Sequence, residues 1–324
     1  MRALEPPDRG SIREATAEDA VRLARLINEI NVAEVGVPWL TEDEVRDLIT
    51  RPTRRPGQHS MLFGRDGSLI GYLMVEVDAD PFTTAELLSF VPPSLWGTGL
   101  NSWLLRRGQE LVREWLDASD APSIALRVAR WTTNQAAVPL FESLGYRYVR
   151  RFHELRIDLD GSPAPPIAPD GIAIRSFDRQ READAVYATL REAFDDHWGR
   201  TFEPFVDWEH EELESPAFDP GLWFVAVDRT EIVGALVARD QFRADTRAIL
   251  VGTVGVRRPW RGRGVARALL LSVFGEAYRR GYPAVELGVD SENPTGATHL
   301  YERLGMRAVR TNEVWEKRLT RSMS

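Results

Sequence analysis

Val251-Gly252-Thr253-Val254-Gly255-Val256, followed four residues later by Arg261-Gly262-Arg263-Gly264-Val265-Ala266, is the stretch whose reading decides the fold. The first run is apolar and β-branched, which predicts a buried strand over 249–256. From Val265 to Arg280 the apolar residues recur at helical spacing. The glycines between let the backbone turn tightly, and a helix start leaves several amide N–H groups without intrahelical partners. With the helix dipole these amides suit a phosphate or pyrophosphate. A dinucleotide fingerprint needs Gly or Ala where Arg267 stands, and a Walker A loop needs a lysine that the region lacks. The turn therefore reads either as a phosphate cradle of another kind or as a solvated strand-to-helix turn with its arginines in water.

Outward from this turn, the chain reads as one domain written twice. Trp96-Gly97-Thr98-Gly99-Leu100 matches Arg261-Gly262-Arg263-Gly264-Val265 at an offset of 165, and Phe141-Glu142-Ser143-Leu144-Gly145-Tyr146 matches Tyr301-Glu302-Arg303-Leu304-Gly305-Met306 at 160. The opening Ser11-Ile12-Arg13-Glu14-Ala15 returns as Ile172-Ala173-Ile174-Arg175-Ser176. Repeated landmarks in one order point to duplication. Residues 161–170 hold four prolines and form the expected linker, giving domains at 1–160 and 171–324. Each half predicts a short strand, amphipathic helices (Val21, Leu23, Leu26, Ile27 and Ile30 in the first), a hairpin, a strand, the glycine turn with a long helix, and then strand, helix, strand. Alternation of this kind favours a mixed α/β sheet in each half.

The 324 residues, 43% hydrophobic and 28% charged, are enough for two cores. No apolar run is long enough for a membrane span, and the polar, Pro-rich residues 1–10 show no secretory signal, so a cytoplasmic location without membrane attachment is expected. The absence of cysteine excludes disulfides, thiolate metal sites and a cysteine nucleophile. A net charge of −8 argues against a general nucleic-acid partner. Lys317 is the sole lysine among 41 basic residues, a bias that says nothing about phosphate binding.

The run 261–266 resembles the acyl-CoA pyrophosphate loop of the GNAT superfamily of N-acetyltransferases, Gln/Arg-x-x-Gly-x-Gly/Ala, at every defined position. The Asn-containing turn around Asn293 and the Tyr-bearing helix around Tyr301 follow in that superfamily's order. The resemblance implies two tandem GNAT-like domains using acetyl-CoA as cosubstrate, without a metal, as a monomer or homodimer. It implies that pantetheine pairs with the strand at Val254 and Val256. Pyrophosphate would rest on the amides of Arg261, Gly262, Arg263, Gly264, Val265 and Ala266. A small-molecule amine acceptor would attack the thioester directly, a strand N–H would stabilise the oxyanion, and Tyr301 would protonate the departing thiolate. Asn293 would bond pantetheine or hold the splayed strand. The plainer readings are a packed aromatic for Tyr301 and an Asn-Pro turn for Asn293.

A general base is not fixed by the pattern. The stretches 194–199 and 208–212, with Asp195, Asp196, His197, Glu209, His210, Glu211 and Glu212, lie on the expected acceptor side and read either as proton acceptors or as a solvated helix face. Their spacing does not make a metal set. His299, two residues before Tyr301, is expected to point elsewhere and be exposed. The first half departs at the chemical positions, with Trp96 for Arg261, Asn101 for Ala266 and Phe141 for Tyr301. Chemistry is therefore expected in the second half. The alternative is a non-catalytic acyl-CoA-binding sensor or scaffold.

Overall fold

A computed structural model describes residues 10–50, 55, 57–77, 82–195, 197–198, 204–215, 217–243, 246–293 and 296–321. The chain begins with β1 (Ser11–Glu14), α1 (Ala20–Val35), α2 (Glu42–Thr50), β2 (His59–Phe63), β3 (Leu69–Val77) and β4 (Thr84–Phe90). It continues with α3 (Leu100–Asp117), β5 (Ser123–Trp131), α4 (Ala137–Ser143) and β6 (Arg147–Asp158). The series then repeats as β7 (Ile172–Ser176), α5 (Arg179–Phe194), α6 (Phe205–Trp208), β8 (Phe224–Asp228), β9 (Glu231–Arg243) and β10 (Thr246–Val256). Last come α7 (Val265–Arg279), β11 (Ala284–Asp290), α8 (Ala297–Arg303) and β12 (Arg307–Thr320).

The compact units do not follow the expected halves. One comprises 1–151 with 312–324, the other 152–311. Among the described residues the first has strand order β1-β2-β3-β4-β5-β12 and the second β7-β8-β9-β10-β11-β6. In both, the first four strands are antiparallel, the fourth and fifth are parallel, and the sixth is antiparallel to the fifth. Each sheet thus takes its sixth strand from the other half of the sequence.

Charge favours this exchange. Glu316 of β12 lies opposite Arg127 of β5 and pairs with it at 3.1 Å, while Arg156 of β6 lies opposite Glu286 of β11 and pairs at 2.8 Å. Tyr146 and Met306 match in the repeat, which makes Arg156 and Glu316 equivalent positions. Without exchange, Arg127 would face Arg156 and Glu286 would face Glu316. Like charges opposed across strands destabilise, and Glu286, only 3% exposed, requires a cation. Arg310 also bonds Glu286, at 3.2 Å. In the first unit Glu313 is likewise buried between Arg130 (2.6 Å) and Arg151 (2.7 Å).

Within the second unit, helices cover both sheet faces. A Cβ on Gly255 would meet Ala193 at 2.9 Å and Leu190 at 3.0 Å, so this glycine lets α5 lie close to β10. Residue 256 points the other way, where α7 packs Leu269, Leu270, Val273, Phe274 and Ala277 into the core. In α1 of the first unit the expected stripe is buried at Leu23, Leu26, Ile27 and Ile30, but Val21 faces outward. Among the described residues no helix is long and apolar enough to cross a membrane.

Candidate active site

The parallel pairing of β10 with β11 ends at Val251 and Leu287. Beyond this point the strands part, and a β-bulge sits on the other edge of β10. Val251 pairs with Ala238 and Thr253 with Val237, leaving Gly252 as the extra residue. A bulge bends its strand and increases local twist, here where the two strands separate. Side chains are absent at Gly252 and Gly288, which line the opening from either side; a Cβ on Gly288 would meet nothing within 4 Å. The result is a cavity of about 510 Å³ wholly within the second unit. Half of the backbone polar groups of 253–256 point away from β9 toward this gap.

The glycine turn closes one end. Gly262 and Gly264 have φ of 74° and 90°, left-handed conformations that favour glycine, and a Cβ on either would project into open space. The amides of Val265, Ala266 and Arg267 open α7 ahead of the first intrahelical donor, Ala268 N–H to Gly264 O. Amides at a helix N-terminus without intrahelical partners suit an anion, and the turn leaves open space before them. Arg261 turns inward: its Nε donates to Val256 O at 3.0 Å and its Nη2 to Ala193 O at 2.8 Å. Its guanidinium is a strut holding the turn to β10 and α5. Arg263 faces solvent outside the cavity lining. The other expected site residues, Val254, Val256, Arg261, Gly262, Gly264, Val265, Ala266, Asn293 and Tyr301, all line it.

Tyr301 hangs from α8, buried at 7% exposure, and burial pushes its phenol up to about 12. The hydroxyl therefore stays protonated across the neutral and mildly alkaline range. Asn293 follows β11 in a turn where its N–H bonds Asp290 O at 3.1 Å and Glu292 N–H bonds Asp290 Oδ1 at 2.9 Å. Its Nδ2 lies 3.4 Å from His197 Nε2, which accepts that hydrogen bond when the imidazole proton sits on Nδ1. Of the acceptor-side stretches, His197 and Trp198 reach the cavity, whereas His210 is exposed and bonds Glu214 at 2.8 Å. Asp196 and Gly199 lie outside the described residues. His299 is exposed as expected, 3.4 Å from Glu302. Among the described residues no three His, Asp or Glu side chains are grouped to hold a metal.

The first unit keeps the turn and changes what lies around it. Gly97 and Gly99 have φ of 80° and 88°, and Trp96 Nε1 donates to Val91 O at 2.9 Å, taking over the bond that Arg261 Nε makes to Val256 O. The substitution of tryptophan for arginine thus preserves the turn. The bulge is missing: β3 and β4 pair without a register shift from Tyr72–Phe90 to Val77–Ala85. The sequence carried a signal for this. Leu87 and Val251 end their respective parallel pairings, yet Arg261 lies ten positions past Val251 and Trp96 nine past Leu87. Phe141, the counterpart of Tyr301, packs edgewise on Trp315 at 6.0 Å. The turn after β5 is bound to α1 through Asn134 to Glu34 (2.5 Å) and Trp131 to Asn31 (3.2 Å).

Comparison with known proteins agrees with the duplicated architecture. The profile described as "Acetyltransferase (GNAT) family" matches twice, at residues 23–146 and 183–306, together more than half of the chain. The mycothiol acetyltransferase of Actinosynnema mirum is 31% identical over 293 residues, 89% of this chain and 91% of that protein. A crystal structure of a GCN5-related N-acetyltransferase from Sphaerobacter thermophilus superposes with a TM-score of 0.81 at 32% identity, covering 98% of both chains. A tandem GNAT protein from the clavulanic acid biosynthesis pathway shares the fold at a TM-score of 0.72 and 16% identity, over 97% of this chain and 100% of that one.

Proposed function

Because this chain belongs to the acetyltransferase (GNAT) family and is an acyltransferase, we propose that it moves the acetyl group of acetyl-CoA directly to a small-molecule amine, with the chemistry confined to the second unit. The observation that carries this reading is a difference between two copies of one fold. Among the described residues the second copy joins the glycine turn to a bulge in β10 and to Tyr301, where the first has an unbulged strand and Phe141. The glycines at 262 and 264 leave the space and the amides that a pyrophosphate requires, which supports acetyl-CoA as the donor. Pantetheine would follow the gap beside Val254 and Val256, adding a strand-like ladder to β10.

In the proposed reaction the neutral amine nitrogen forms a bond to the thioester carbonyl carbon. A backbone N–H of the splayed segment stabilises the oxygen as charge develops. The carbon–sulfur bond then breaks, and the sulfur takes its proton from the Tyr301 hydroxyl. A phenol near 12 is a weak donor, but a thiolate released into the same poorly solvated space is correspondingly basic. The ammonium proton passes to solvent beside His197 and Asn293, and the Tyr301 phenolate takes a proton back from solvent before the next turnover. The test is thiol release from acetyl-CoA against a panel of amines, with product mass identifying the acetylated acceptor. Acetylated amine is expected. Tight CoA binding with no turnover on any amine would favour a sensor instead.

A further inference from the structure

The exchange of terminal strands decides which side chain walls the cavity beside the parted ends of β10 and β11. Phe152 lies on β6 directly opposite Asp290 of β11. Opposed residues share a sheet face, so the ring stands beside Asp290 and one step along from Gly288, where there is no side chain. Its ring contacts Trp198 at 6.4 Å between centroids, inclined by 47°. Trp198 follows His197, whose imidazole reaches Asn293. Phe152, Trp198, His197, Asn293, Asp290 and Gly288 therefore gather at the parted ends of β10 and β11 and all line the cavity. The glycine turn lies across the gap, where β10 leads into α7.

The equivalent of Phe152 in the repeat is Asn312, which sits opposite Trp131 in the first unit as Phe152 sits opposite Asp290. Had each half kept its own last strand, Asn312 would have faced Asp290 and the aromatic wall would be missing. The charge pairs Arg127–Glu316 and Arg156–Glu286 thus also place Phe152 in the site.

Resting on the acetyltransferase reading above, we propose that Phe152 and Trp198 form a specificity-determining wall for the acceptor, selecting a primary amine that carries an aromatic or alicyclic ring one or two carbons from nitrogen. The ring packs on the wall while Asp290 attracts the ammonium form at the entrance. Aromatic faces hold both hydrocarbon rings and nearby cations, which a short linear amine exploits poorly.

The experiment measures kcat and KM for benzylamine, cyclohexylmethylamine and ethylamine with the full-length wild type and with Phe152→Ala, Phe152→Leu and Phe152→Asn. The ring amines are expected to exceed ethylamine in kcat/KM. In Phe152→Ala and Phe152→Asn the ring-amine KM should rise about 5- to 10-fold, with ethylamine and the acetyl-CoA KM unmoved and Phe152→Leu intermediate. Equal use of ring and linear amines by the wild type would overturn the proposal and leave the acetyltransferase reading standing. So would a parallel rise of the acetyl-CoA KM in the variants, the mark of a merely structural role. No thiol release with any amine would instead remove the reading on which the proposal rests.

Discussion

Replacing Gly264 by alanine, and separately Gly99 by alanine, perturbs two turns that are nearly superposable in conformation. Their φ angles are 90° and 88°, each precedes a long helix, and a Cβ on either meets no atom within 4 Å. The folded-state cost is therefore the same at both, about 1–2 kcal/mol for forcing an L-residue into the left-handed region. That corresponds to a few degrees in melting temperature for a unit of this size. The consequence for acetyl-CoA differs. At Gly264 the added methyl is expected to crowd the proposed pyrophosphate and hold it off the amides of Val265 and Ala266. Losing one charge-assisted hydrogen bond costs about 1.5–3 kcal/mol, equivalent to about a 10- to 150-fold rise in KM for acetyl-CoA. Gly99→Ala should match it in thermal melting and leave that KM at the wild-type value. The assay is steady-state thiol release at saturating amine, alongside thermal unfolding of both variants. If both variants keep the wild-type KM, or Gly99→Ala raises it as much as Gly264→Ala, the assignment of the cradle is wrong.

Three further outcomes follow from named contacts. Phe141→Tyr should give no gain in turnover, because the first unit lacks the bulge as well as the hydroxyl; a clear increase in thiol release would show that unit to be a dormant second centre. Glu286→Arg should destabilise by about 3–5 kcal/mol by placing a third cation beside Arg156 and Arg310, and adding Arg156→Glu should recover part of the loss. An unchanged melting temperature in the single variant would refute charge-directed strand exchange. The paired Arg13 guanidinium holds the Asp19 carboxyl well below the usual carboxylate range. A depressed folded value means the pair stabilises above about pH 4 and loses that contribution as pH falls toward the folded value. The melting-temperature gap between wild type and Asp19→Asn should therefore be full at pH 7, begin to narrow below about pH 5 and go on narrowing as pH falls toward the folded value; a gap independent of pH would contradict it.

The turn at 261–264, the duplication and the order of strands and helices were legible because each is a local pattern of apolar period and glycine placement. Four features were not. The exchange of β6 and β12 is a choice between two sheets that a strand's own residues do not reveal; it becomes readable only when Arg127, Arg156, Glu286 and Glu316 are set in register. The partners of the loop arginine's side chain are not local: Arg261 faces the carbonyls of Val256 and Ala193, and Trp96 shows that an indole N–H serves as the same strut. The bulge at Gly252 is an insertion of one residue, visible only as a change in repeat spacing once the parallel register is known. His197 and Asn293, far apart in sequence, meet only because α5 ends above the turn that follows β11.

Whether this cavity transfers an acetyl group with Tyr301 as the acid is decided by a single-turnover measurement on Tyr301→Phe. The change deletes one hydroxyl and keeps the buried ring, so packing and CoA affinity should be nearly intact. With enzyme in excess over acetyl-CoA and saturating amine, the rate of thiol appearance is predicted to fall about 10²- to 10⁴-fold. A single-turnover rate equal to wild type across pH 6–10 would contradict the claim and assign the thiolate's proton to another donor.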